Sequence, residues 1–242
     1  MSQLSKNTVK GSAQLKDSEY VSFLNDYKES NVKVLFVGNS ITLHGVLPEI
    51  GWNHRFGMAA SSIENDYVHL CMAEIQKKIR NSSFAICQVC EWESNYKNGT
   101  GKFYLYENAR NFNADIIIMR AVENCPVKDF DAEIFKKEYD KLLSFLNPSG
   151  NAKIIITTSF WKHPADDIIA EYAKDNKYAL CKLGDLGELD EMKALGKFEH
   201  DGVAVTSSHF SARVFFRLLA ITHAAAMAGA AATIIIRKIS AI

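Results

Sequence analysis

Two short stretches carry residues that could do chemistry, and each directly follows an apolar, β-branched run. Gly38-Asn39-Ser40 follows residues 32–37, and Arg120-Ala121-Val122-Glu123-Asn124 follows residues 116–119. A serine held on a sharp turn at a strand end can project its hydroxyl into a cleft, where backbone N–H groups can face a developing oxyanion. The chemistry would be nucleophilic attack by Ser40. A hydroxyl is a poor nucleophile near its free pKa and needs a neutral imidazole within hydrogen-bond reach. His209 is the first choice for that base and His200 the second; Asp201 could orient the ring, with Glu199 equally near in sequence. The plainer alternative makes Gly38-Asn39-Ser40 an ordinary strand-to-helix turn with Ser40 as its N-cap. His44 would lie one turn beyond Ser40 if a helix followed directly, and is otherwise a rim or core histidine.

Other chemistries find less support. The turn at Gly38 lacks the later glycines and the lysine that cradle phosphates, so nucleotide binding is disfavoured. A flavodoxin-like protein holding a phosphate at the turn 38–42 is the weaker reading left open there. Cys87 and Cys90 have the spacing of a zinc or redox pair, but no second pair exists, so no metal and no cofactor are expected.

Elements must position these residues. Residues 32–37, 84–89, 116–119, 154–158 and, more weakly, 178–183 read as short strands buried on both faces. Residues 62–80, 131–146 and 164–176 have helical spacing, as do 18–28 before the first strand. Residues 95–102 read as one exposed loop, and no repeat or linker divides the chain. Strands alternating with helices argue for a parallel sheet covered on both faces, with ligands bound beyond the carboxyl ends of its strands. The expected architecture is a three-layer α/β/α sandwich around a mostly parallel five-stranded sheet, one domain over residues 1–242, with 1–17 flexible.

The 242 residues are enough for one large domain that buries roughly 70% of its unfolded surface. Hydrophobic residues are 48% and charged residues 23%, an ordinary globular balance. With 28 basic and 28 acidic side chains there is no net field to attract nucleic acid, so the expected partner is a small molecule. Five scattered cysteines, an odd number in mostly apolar surroundings, read as buried thiols. Met1 to Lys16 is polar and without the apolar core of a secretory signal. A cytoplasmic location is the expectation, although an exported chain shorn of its signal would look the same. Residues 218–236 carry no formal charge apart from His223 and could just span a bilayer. Alanine dominates them, so a buried terminal helix followed by a short strand is expected there instead.

The strand and turn Val34-Leu35-Phe36-Val37-Gly38-Asn39-Ser40-Ile41-Thr42 resembles the first block of the SGNH (GDSL-like) hydrolase superfamily, a strand followed by Gly-Asp/Asn-Ser-Ile/Leu-Thr. Residues 116–124 resemble its third block, with Glu123-Asn124 where Asn-Asp is commoner. The resemblance covers residues 32 to about 204 and implies a flavodoxin-like fold and a serine esterase. It implies further that the oxyanion is held by the Ser40 N–H, the Asn124 side chain and a second-block glycine, Gly57 or alternatively Gly51. Segments 51–62, 91–93 and 159–161 resemble a bacterial subgroup, and their aromatics could line a sugar- or acyl-binding cleft, although such residues are more often core.

The last block departs from the pattern. The family places Asp three residues before its histidine, whereas Thr206 stands three before His209, and from Val205 onward the likeness ends. The expected function is hydrolysis of an acyl ester of a small molecule or carbohydrate by Ser40, His209 and Asp201. The alternative is a catalytically impaired domain of this type that binds a glycan or a partner.

Overall fold

The structure, a computed structural model, describes residues 15, 19–25, 28–48, 52–58, 60, 62–187, 199–200 and 203–204. Six stretches form one sheet: β1 (Val21–Leu24), β2 (Val32–Gly38), β3 (Ser82–Gln88), β4 (Ile116–Arg120), β5 (Lys153–Thr157) and β6 (Ala179–Cys181), in the spatial order β1-β3-β2-β4-β5-β6. All neighbours are parallel except β1, which runs antiparallel to β3. Without β1 the order is that of a doubly wound, flavodoxin-like sheet.

The residues explain why β2 is central. Val34, Leu35, Phe36 and Val37 are fully buried, so this strand has no polar face to turn to water. From β2 the chain moves outward both ways, to β3 through α1 (Tyr67–Lys78) and, past β4, to β5 through α4 (Ala132–Leu146). Right-handed crossovers in opposite directions put α1 and α4 on opposite faces, which yields three layers. Asp66 and Asp131 start these helices by accepting the backbone N–H of His69 and Ile134. Phe135, Tyr139, Leu142, Leu143 and Leu146 form the buried stripe of α4.

Two expectations need correction. Within the stretch 18–28, residues 21–24 are not helical but form β1, the sixth strand. The open edge of β3 offers unpaired backbone groups, and Gln88 N–H extends the pairing by donating to the Tyr20 carbonyl at 2.8 Å. Tyr20 is buried edge-on against Tyr106, and Asn25, with φ of 50°, ends the strand in the left-handed region. Residues 95–102 are mostly exposed, as expected, but they do not form a loop. They follow α2 (Cys90–Ser94) and belong to a 3-10 run, Tyr96–Tyr106, that leads into α3 (Glu107–Phe112). Gly99 is buried there because a Cβ would lie 2.3 Å from Nε1 of the buried Trp92.

Beyond β5 come α5 (Ala165–Asp175) and the short α6 (Gly184–Gly187), then β7 (Glu199–His200) and β8 (Val203–Ala204), an antiparallel pair. No helix among the described residues is long and apolar enough to cross a membrane. The readings made for residues 205–242 and, Leu15 apart, for 1–17 fall outside the described residues, as does Gly51. All five cysteines are buried free thiols.

Candidate active site

Register brings the candidate residues together. Gly38, the last residue of β2, pairs with Gln88 on one side and Arg120 on the other. The carboxyl ends of β2, β3 and β4 therefore lie abreast where the order of strands reverses, the place where such sheets bind ligands. The segments that leave them carry Asn39-Ser40, Glu91-Trp92-Glu93 and Glu123-Asn124.

Gly38 has to be glycine. A Cβ would fall 1.9 Å from Thr42 Oγ1 and 2.6 Å from the Arg120 carbonyl, because the chain turns straight back on itself. The N–H groups of Thr42 and Leu43 donate to the Asn39 carbonyl at 2.9 and 3.0 Å, closing one turn. Ile41 N–H donates to Asn39 Oδ1 at 3.2 Å, so the side chain that caps this turn is Asn39 and not Ser40. Ser40 is 8% exposed, and no group among the described residues hydrogen-bonds its Oγ.

Asn39 is anchored in a buried polar cluster. Its Nδ2 donates to Glu93 Oε1 at 3.0 Å and to Glu123 Oε2 at 2.7 Å, while Arg120 Nη1 approaches its Oδ1 at 3.5 Å. Arg120, 2% exposed, pairs with Glu123 at 2.8 Å and lies over the Tyr67 ring, 5.8 Å from its centroid. Glu93 also accepts Asn124 Nδ2 at 2.6 Å on Oε2 and the Val122 N–H on Oε1. Val122 makes that contact at φ of 125°, a conformation uncommon for a β-branched residue and typical of strain held at functional sites. The geometry explains the residue type at position 39: an amide can donate to two carboxylates, and an aspartate there could not.

The charges decide the protonation of this cluster. Burial first, then the Glu123 carboxylate, raise the Glu93 pKa from an ordinary 4.5 to about 7, against the pull of its amide donors. With Glu93 protonated, Arg120 balances Glu123. With it ionised, the cluster holds one net negative charge away from water.

The other candidates lie as follows. The backbone at Gly57 and Met58 runs beside the Ser40 turn: Met58 N–H donates to the Ser40 carbonyl at 2.8 Å. Gly57 N–H itself is directed at Asp66 Oδ2, 3.3 Å away. His44 is a core histidine: it is buried, its Nδ1 meets the Gly45 carbonyl at 2.5 Å, its ring lies edge-on to Trp52, and burial lowers its pKa. Trp92 and Phe160 are likewise core, Trp92 against Phe135 and Tyr139. Asp201 and His209 lie outside the described residues, and His200 belongs to β7. Sequence reasoning missed Glu93 and the burial of Arg120. The available signals were two acids directly after β3 at the reversal of strand order, and an arginine ending the apolar run Ile116-Ile117-Ile118-Met119.

No known protein family matches the sequence, and no curated protein does. Among solved structures, the chain is similar to a family two carbohydrate esterase from Clostridium thermocellum in complex with cellohexaose, at TM-score 0.40 and 13% identity. That match covers 66% of this chain and 56% of the esterase, so the chain spans little more than half of it. It is also similar to an α/β hydrolase enzyme from the metagenome of Lake Arreo, Spain, at TM-score 0.42 and 16% identity, covering 83% of this chain and 96% of the hydrolase. Likeness of this degree leaves the chemistry to be read from the site itself.

Proposed function

We propose that the protein is a serine hydrolase that cleaves an acyl ester of a small molecule or carbohydrate, with Ser40 as nucleophile. One observation carries the reading. At the reversal of strand order, the turn after β2 is capped by Asn39, which leaves the Ser40 hydroxyl uncommitted at the mouth of the sheet. The matching first-block sequence, Gly38-Asn39-Ser40-Ile41-Thr42, supports it independently.

In this scheme the Ser40 oxygen attacks the ester carbonyl while His209, oriented by Asp201, takes the hydroxyl proton. The proton passes to the departing alcohol, and water then hydrolyses the acyl-enzyme by the same route in reverse. The Ser40 N–H and Asn124 Nδ2 stabilise the tetrahedral oxyanion, and Gly57 contributes if its N–H leaves Asp66. The altered block around Thr206 favours a second reading, a binding domain for a glycan or partner. Purified protein incubated with p-nitrophenyl acetate and with a fluorophosphonate separates the two. Hydrolysis and labelling that both vanish in Ser40→Ala are expected; a folded wild type that does neither overturns the hydrolase reading and leaves the binding domain.

A further inference from the structure

Glu93 is a buried acid for which the hydrolytic scheme has no use, yet it touches the residues on both sides of the nucleophile cleft. It accepts an N–H from Asn39, the neighbour of Ser40, and one from Asn124, the residue proposed to hold the oxyanion. A primary amide has two N–H groups and one carbonyl, and nothing intrinsic to its shape decides which end faces a cleft. An acceptor-only partner decides it. A carboxylate 2.6 Å from Asn124 Nδ2 requires nitrogen on that side and leaves the second N–H free. At Asn39 the same logic applies twice, because Glu93 and Glu123 both demand its nitrogen and so turn its oxygen to Ile41 and Arg120.

We infer that Glu93 is a positioning residue for ester hydrolysis: its carboxylate holds the amide of Asn124 so that the second N–H meets the oxyanion formed at Ser40. The inference rests on the serine hydrolase reading and adds to it the group that orients the oxyanion donor. All three of the partners that Glu93 holds are N–H donors, so the ionised form is the active one. The charged and titratable groups around it are Glu123 and, through it, Arg120 from the end of β4, the Cys125 thiol, and Cys90 and Glu91 on its own helix. Burial raises both thiols and keeps them neutral, and Glu91 is paired with Lys102 at 3.3 Å. Glu123 is therefore the group that opposes ionisation of Glu93.

The experiment is a double-mutant cycle in the full chain, read as kcat and KM for p-nitrophenyl acetate against pH. Asn124→Ala should lower kcat by about 100- to 1,000-fold, the cost of one oxyanion donor. Glu93→Gln, which offers an NH2 group where only an acceptor fits, should lower kcat by about 10- to 100-fold with KM little changed. The double variant should be no slower than Asn124→Ala alone, since Glu93 acts through Asn124. Below neutrality the log kcat of wild type should fall more steeply than one decade per pH unit, as two groups protonate, and that of Glu93→Gln by one decade.

A Glu93→Gln enzyme with wild-type kcat and pH slope, or effects that multiply in the double variant, overturns the inference while the serine reading stands. A wild type without activity overturns both. If Glu93→Gln fails to fold, the wild-type acid limb decides alone: a slope of one overturns the inference.

Discussion

Two buried glutamates in this protein have opposite electrostatics, and the contrast separates a site from a strut. Glu138, on α4, accepts the Thr100 N–H and hydroxyl at 3.0 and 2.6 Å and pairs with Lys141 at 2.7 Å. Burial pushes its pKa up, but Lys141 and Thr100 outweigh burial and hold it below the ordinary value. Glu93 has amide donors without a cation of its own, and its charged neighbour is another carboxylate, so its pKa goes up to about 7. A lysine one turn away keeps a carboxylate ionised at neutral pH, where it fastens the 3-10 run to α4. Amides and a second acid make one that can change state near neutral pH, as groups at active sites do.

The contrast breaks most severely at Asn39. Asn39→Asp removes the N–H groups that both Glu93 and Glu123 accept and sets a third carboxylate against them. We expect a loss of about 3–5 kcal/mol at pH 7, the usual cost of leaving buried charge uncompensated. Urea unfolding measures it, and part of the loss should return at pH 5, where Glu93 is protonated. An unaltered midpoint at pH 7 would mean that the cluster is wet and the low-dielectric reasoning fails.

A smaller effect distinguishes the surroundings of the two acids. Gly38→Ala drives a methyl toward the Arg120 carbonyl at 2.6 Å, and Gly99→Ala drives one toward the Trp92 indole at 2.3 Å, next to the Thr100 that holds Glu138. Each should cost about 1–3 kcal/mol, as overpacking of a filled core does. Only Gly38→Ala should also depress esterase turnover at temperatures where both variants stay folded, because only that glycine sets the Ser40 turn. Equal turnover in the two would dissociate the turn from catalysis.

Much of this arrangement was legible in the sequence, for reasons that particular residues make clear. The runs around Val34, Ile86, Ile117 and Ile155 are apolar on both faces and could only be interior strands, and the helices of α1, α4 and α5 follow from periodicity. β1 was hidden because residues 21–24 become a strand only through the open edge of β3, a partner 60 to 66 positions away. The run 96–106 was hidden because the polar segment around Asn98, Gly99 and Thr100 packs on Trp92 and Glu138, which no local pattern announces. At the site, Ser40, Glu123 and Asn124 stood out by following strands. Glu93 did not, since its role comes from the alignment of β2, β3 and β4 at Gly38, Gln88 and Arg120.

The smallest effect tests the sign of the contrast. The raised pKa of Glu93 means that its contribution to stability is complete below the unfolded value near 4.5 and is lost as pH rises through about 7. The lowered pKa of Glu138 means the reverse: its contribution is present above the unfolded value and is lost as pH falls through the folded one. Lys141 is 41% exposed, so Lys141→Ala should cost no more than about 1 kcal/mol at pH 7. That small loss should shrink in acid, as pH falls through the lowered folded value and Glu138 protonates in wild type and variant alike. Denaturation midpoints at pH 3, 5 and 7 should therefore converge toward wild type in acid for Lys141→Ala, whereas Glu93→Gln should gain on wild type between pH 5 and 7. If both variants drift in the same direction, the two glutamates share one kind of environment and the division between site and strut is wrong.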